Sequence, residues 1–237
     1  MNDWTGTAAL RLIGIQNAKR KLFARRVEWV DGWVSAKDGE DSTGALLTHA
    51  LDLIERSRAR SRLVVAIDAG DLEQRAGHYL QTMMRAPAGV RGQLLLQIEG
   101  SEFGMYSALG EFCSFAQSRA GAGVMLKIDN CTGDELDSLL FVTGASILSL
   151  GAAVTARSRG SRHRAEVLDA LEIANGFEAC LMMEGVDTEA ERAEVFGLGV
   201  TLACGAAVCP ASTTQLTAPP RKVTTPEEFV SRLTMMV

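Results

Sequence analysis

The chain has 237 residues, 47% of them hydrophobic and 22% charged, with a formal net charge of −5. Set against about 100–200 residues per domain, these values fit one large globular domain or two small ones and exclude a disordered or fibrous chain. The acidic balance argues against a general nucleic-acid binder, and no apolar run approaches the roughly 18 residues a membrane crossing needs.

Met1-Asn2-Asp3-Trp4 lacks the basic start and apolar stretch of a secretory signal. The five cysteines (Cys113, Cys131, Cys180, Cys204, Cys209) are odd in number, scattered, and form no CxxC pair. No disulfide framework is expected, and a reduced cytoplasm is the expected setting. Two basic clusters stand out: Lys19-Arg20-Lys21 with Arg25-Arg26, and Arg157, Arg159, Arg162 and Arg164. Each reads either as a solvated loop or helix face or as a contact for phosphate or an acidic partner.

In chain order, Val27 to Val34 is β-rich, and Asp41-Ser42 opens a helix with Leu46, Leu47, Ala50, Leu51 and Ile54 on one face. Leu63 to Ile67 reads as a buried strand, followed by a helix from Leu72 to Met84 that Pro87 closes. Leu94 to Ile98 is the next strand, then a helix near Ser107 to Arg119 and a strand Val124 to Ile128. A helix near Glu135 to Val142 and a strand Ile147 to Leu150 come next. The helix Arg162 to Ala174 is expected to stop at Asn175-Gly176. Cys180 to Met183 is a strand, a short helix starts at Glu189, and Leu202-Ala203 is the last strand. Thr225-Pro226-Glu227-Glu228 carries a capping box and a proline at the first helical position, and predicts a final helix ending near Met235.

Repeated strand–helix units with no Pro/Ser-rich linker predict an α/β fold, either a (β/α) barrel or an open doubly wound sheet. No GxGxxG follows the first strand and there is no P-loop. In both architectures a site forms at the C-terminal ends of the strands. Polar groups recur there: Glu28, Asp68, Gln97, Glu99, Asp129-Asn130 and Glu184. Converging carboxylates suit a divalent cation, because Mg²⁺ prefers hard oxygen ligands. Bland readings stand beside this one. Asp129-Asn130 precede Thr132-Gly133-Asp134-Glu135, itself a capping box, and Thr188 with Glu191 caps a helix. His49, His78 and His163 fall on helices without triad spacing, and Cys204 reads as a small buried residue, not a nucleophile.

The segment Leu181-Met182-Met183-Glu184-Gly185-Val186-Asp187-Thr188 resembles the AEGVE(T) motif of EAL domains, the cyclic di-GMP phosphodiesterases. Leu198-Gly199 and Gly205 to Pro210 resemble that family's LG…QGY…P pattern. Gly123 to Gly133, containing Lys127-Ile128-Asp129-Asn130-Cys131-Thr132-Gly133, sits where the family has its DDFG loop, Leu96-Gln97-Ile98-Glu99 resembles the EITE strand, and Val27-Glu28-Trp29-Val30 the strand carrying EAL itself. The resemblance runs over about residues 10–212 and leaves 213–237 as a C-terminal extension of a single domain spanning 1–237.

The resemblance implies a modified TIM-like barrel whose active members hydrolyse cyclic di-GMP with two Mg²⁺ or Mn²⁺ ions. It matches Glu28, Asp129 and Glu184 to metal-site acids and puts the family's asparagine ligand near Asp68. It also implies losses. The EITE glutamate falls on Gln97, the second DDFG aspartate on Asn130, the lysine that positions water on Ser149, and the aspartate after it on Gly151. The second AEGVE glutamate is Asp187, the QGY glutamine is Cys204, and a phosphate-binding arginine falls on Gly32. Glu99 shares a face with Gln97 but lies about 6.6 Å further along, beyond the reach of direct substitution without a backbone shift.

A degenerate, catalytically inactive domain is therefore expected, with Glu28, Asp68, Gln97, Asp129, Asn130, Glu184 and Asp187 as remnants of a ligand pocket. No cofactor is expected; Mg²⁺ or Mn²⁺ enters only if the site is active, on Glu28, Asp129 and Glu184. The expected role is regulatory, through an unidentified protein partner. The alternatives are a cyclic di-GMP receptor that does not hydrolyse it and a phosphodiesterase with an altered metal site. Neither nucleic acid nor membrane is an expected partner. Leu136, Leu139, Leu140, Phe141 and Val142 crowd one segment with apolar side chains and predict a homodimer.

Overall fold

The computed structural model describes residues 9–30, 41–57, 61–99, 106–129, 133–157 and 161–215. Asn130, Gly32 and the helix expected after Thr225 lie outside them, as does Arg159 of the second basic cluster.

The chain opens with an antiparallel hairpin, β1 (Ala9–Asn17) and β2 (Leu22–Trp29). The Asn17 side chain closes its turn by accepting from the Lys19 and Lys21 backbone N–H groups at 3.0 and 3.1 Å. β1 was not foreseen, and the β-rich segment expected over Val27 to Val34 starts five residues earlier. From β2 to β8 the strands run parallel, and helix follows each of β2 to β7. α1 (Ser42–Ser57) leads to β3 (Arg62–Asp68), α2 (Leu72–Met84), α3 (Ala88–Arg91) and β4 (Leu94–Glu99). α4 (Tyr106–Phe115) continues through a wider turn, Ala116–Ala120, to β5 (Gly123–Ile128), α5 (Gly133–Thr143) and β6 (Ile147–Leu150). α6 (Ala152–Arg157) and α7 (Ser161–Gly176) precede β7 (Cys180–Met183), α8 (Glu189–Gly197) and β8 (Leu202–Cys204). β9 (Ser212–Gln215) pairs with the start of β1.

The strand order β2-β3-β4-β5-β6-β7-β8-β1, with β1 also paired to β2, closes a barrel of eight strands. Its first strand is antiparallel to both neighbours. That closed order decides between the two architectures the sequence left open. It is a (β/α) barrel with a reversed first strand.

The strands read as near-continuous apolar runs because both faces are covered. Their outer faces pack on the helices, and the one-face set foreseen on α1 (Leu46, Leu47, Ala50, Leu51, Ile54) is buried there. The barrel interior has its own apolar plug: Ile15, Ala24, Val64, Leu95, Met125, Ile147, Met182, Leu202 and Cys204. Strand side chains alternate between faces. The next inward positions towards the C-terminal mouth are therefore Arg26, Ala66, Gln97, Lys127, Ser149 and Glu184, all polar but Ala66. The plug ends and a polar layer begins there.

α7 ends at Gly176, within the expected stop, and the left-handed residue after it is Glu178, with φ of 55°. One sequence expectation changes. The five apolar residues of α5 form no single patch. Leu136, Leu139 and Leu140 are buried in the core, and Phe141 stands out at 78% exposed.

Candidate functional site at the barrel mouth

Glu184 caps β7 and is 4% exposed. A buried carboxylate needs partners, and the polar layer supplies them. Its Oε2 lies 2.6 Å from the Arg26 guanidinium and 4.0 Å from Lys127 Nζ. Its Oε1 accepts from Ser149 Oγ at 3.0 Å and from Gln97 Nε2 at 3.3 Å. Arg26 also meets Glu28 Oε1 at 2.8 Å, as two residues on one strand face should. Lys127 donates to Glu99 Oε2 at 3.0 Å, and Gln97 Nε2 donates to the same oxygen at 3.3 Å. The 6.6 Å offset expected for Glu99 is thus closed by its side chain, which reaches back to the Gln97 amide.

Two cations are set among three carboxylates. Burial lowers the Arg26 pKa, but Glu184, Cys204 and Glu28 outweigh it and hold the guanidinium above its ordinary value. Burial likewise opposes charge on Lys127, while Glu184, Glu99 and Asp129 raise its pKa. Burial and the Glu184 charge push the Cys204 thiol up to about 12, against the pull of Arg26. That keeps it protonated, as expected of a residue that is no nucleophile.

The other expected site residues lie around this cluster. Asp68 is exposed and caps the short helical turn Ala69–Asp71, accepting from Gly70 N at 2.8 Å. Asp187 is exposed and accepts from Ala206 N at 2.9 Å, tying the loop after β7 to the chain leaving β8. Thr188 and Glu191 form the foreseen capping box of α8. Both aspartates thus make local loop hydrogen bonds. Asp129 is exposed at the end of β5 and lies against Gly151, where a Cβ would run into its Oδ1. An aspartate at 151, where the resemblance would place one, would require the Asp129 side chain to turn away.

Sequence reasoning missed Arg26 and Lys127. Arg26 had been grouped with a basic cluster, yet it points into the barrel, while Arg20 of the same cluster pairs with Glu189 at 3.0 Å. The signal for Lys127 was a lysine inside the apolar strand Val124 to Ile128, at the parity of the interior residue Met125.

A divalent-metal pair does not fit these residues. Arginine stays protonated in proteins, so a dication between Glu28 and Glu184 would face a fixed positive charge. Two unit charges about 4 Å apart repel by about 4 kcal/mol at a near-surface dielectric, and a dication doubles that. Among the described residues, no group of three or more His, Cys, Asp or Glu side chains is placed to hold a metal ion.

No protein-family model matches the sequence, and no curated protein matches it significantly. Solved structures do. The EAL domain of Mycobacterium smegmatis DcpA shares 18% identity at a TM-score of 0.66, over 85% of this chain and 89% of that one. The Xanthomonas citri FimX EAL domain, solved in complex with c-diGMP, shares 19% identity at 0.68, over 86% and 87%. An EAL domain protein from Listeria monocytogenes shares 12% identity at 0.71, over 96% and 92%.

The fold is that of an EAL domain.

The reversed β1, the parallel strands β2 to β8 and the polar layer at their C-terminal ends are this chain's version of the EAL barrel. Among the described residues no helix is long and apolar enough to cross a membrane.

Proposed function

We propose that this chain is a non-catalytic EAL-fold domain of cyclic di-GMP signalling that regulates by binding a protein partner. One observation carries the reading: Arg26 and Lys127 sit among the mouth carboxylates, with Arg26 2.6 Å from Glu184. Two-metal hydrolysis of a phosphodiester needs ions about 3.5–4 Å apart, held by anionic ligands that offset their repulsion. Here those ligands already have protein cations, and Gln97 and Ser149 are neutral. The free thiols Cys113, Cys180, Cys204 and Cys209 suit the reducing cytoplasm in which such a domain would work.

The test is incubation with cyclic di-GMP and Mg²⁺ or Mn²⁺, monitored for linear pGpG. No product is expected. Turnover at an ordinary enzyme rate would overturn the reading and favour a phosphodiesterase with an altered metal site.

A second reading, a receptor that does not hydrolyse cyclic di-GMP, draws on the FimX EAL domain, which was solved with c-diGMP. Among the described residues the cluster sets three carboxylates, Glu28, Glu99 and Glu184, against two cations, which disfavours a phosphodiester there. Thermal shift with cyclic di-GMP separates the two, because a ligand that binds only the native state raises its stability. A homodimer belongs to the regulatory reading through the exposed Phe141. Sedimentation at micromolar concentration should show twice the 25.4 kDa mass, and Phe141→Asp should return the monomer.

A further inference from the structure

We propose that Arg26 and Lys127 are permanent counter-ions of Glu28, Glu99 and Glu184, so that the barrel mouth is a closed ion cluster which stands in place of a metal site. The inference deepens the non-catalytic reading at the same site, and its test reads metal binding instead of turnover.

Each carboxylate of the cluster has a protein cation or donor. Glu28 has the Arg26 ion pair, Glu99 has Lys127 and Gln97, and Glu184 has Arg26, Ser149 and Gln97, with Lys127 at 4.0 Å. Gln97 is fully buried, and its amide nitrogen reaches two carboxylates while its Oε1 has no hydrogen-bond partner among the described residues. A glutamate there would set a third carboxylate against Glu99 and Glu184. That suits a dication and is repulsive without one. The amide at 97, the guanidinium at 26 and the ammonium at 127 therefore form one consistent set: donors where a metal site needs acceptors. The cations enter from strand positions two residues before Glu28 and two before Asp129. They thus approach the mouth from inside the barrel, beneath the acids.

The experiment titrates Mn²⁺ into the EDTA-treated full chain, followed by Mn²⁺ electron paramagnetic resonance and thermal unfolding. The unmodified chain should bind no Mn²⁺ at the mouth, and its Tm should be the same in EDTA and in Mn²⁺. The variant Arg26→Ala with Lys127→Ala removes both cations, and its carboxylates, which do not converge on a metal in the unmodified chain, should turn into the space left and bind one Mn²⁺. At a concentration 100 times the Kd, its Tm should rise by roughly 5–10 °C. Stoichiometric Mn²⁺ binding by the unmodified chain, abolished by Glu184→Gln, would overturn the inference. It would leave the non-catalytic reading standing if cyclic di-GMP were still not cleaved. A folded double variant that ignores Mn²⁺ would also overturn it. Should the double variant not fold, Glu184→Gln alone decides. The inference expects the same loss of Tm in EDTA as in Mn²⁺, and a loss seen only in Mn²⁺ contradicts it.

Discussion

Glu184 holds together the polar layer above the barrel's apolar plug. Its side chain is 5% exposed and that of Arg26 14%, so removing the acid strands a guanidinium in a poorly solvated place. Breaking a buried ion pair from one side costs about 3–5 kcal/mol. Glu184→Gln should therefore lower stability on chemical denaturation by an amount near the lower end of that range, since the amide keeps the Ser149 contact. Gln97→Glu should destabilise the metal-free chain too, because it exchanges two donated hydrogen bonds for like-charge repulsion against Glu99 and Glu184. At this scale the sequence was half legible. Glu28, Gln97 and Glu184 stood out because polar residues closing apolar strands are conspicuous. Asp68 and Asp187 stood out for the same reason and accept from loop backbone N–H groups, since a carboxylate at a strand end serves a turn as readily as a ligand. Arg26 and Lys127 were hidden because charge is normally read as surface, and only strand parity shows that they point inward.

The parallel strands and their helices were legible because each apolar run is short, bounded and followed by 3.6-residue periodicity. β1 escaped notice because Leu10, Leu12, Ile13 and Ile15 alternate imperfectly around Gly14. That glycine admits Cys209, whose side chain would meet any Cβ placed there. β9 is four residues of Ser, Thr and Gln with no apolar signal, paired only because β1 offers an open edge beyond β8. The exit of β8 depends on Gly205, at φ 148°, where a Cβ would collide with the Val186 backbone. Val186 N donates to Cys204 O at 3.0 Å, so the two loops are zipped there. Gly205→Ala should cost about 3 kcal/mol through backbone strain and overpacking, read as a lowered denaturation midpoint with an unchanged slope. On α1, burial lowers the pKa of His49, with Asp52 opposing and Arg56 assisting; its ring meets Trp29 edge-on at 5.6 Å. The folded chain then binds fewer protons than the unfolded one just below His49's ordinary 6.5, so stability falls as pH falls through that window. The loss of Tm between pH 7 and 5 should be smaller in His49→Leu than in the unmodified chain.

At the scale of the whole molecule, the chain has the fold of an EAL domain and an ion cluster at its mouth. Alternating strands and helices at this length already pointed to a barrel. What decided it over an open sheet is the closure of β1 on both β2 and β8, a long-range pairing that no local pattern encodes. The apolar residues form two clusters, one under the helical shell and one inside the barrel, and the polar layer lies above the second. Such a domain would offer its surface, Phe141 included, as the working part. The most direct measurement is the anomalous difference map of crystals of the full chain grown in Mn²⁺. The account predicts the Arg26 guanidinium between Glu28 and Glu184, with no manganese peak at the barrel mouth. A manganese ion bound to Glu28 and Glu184, with Arg26 displaced from them, would contradict it.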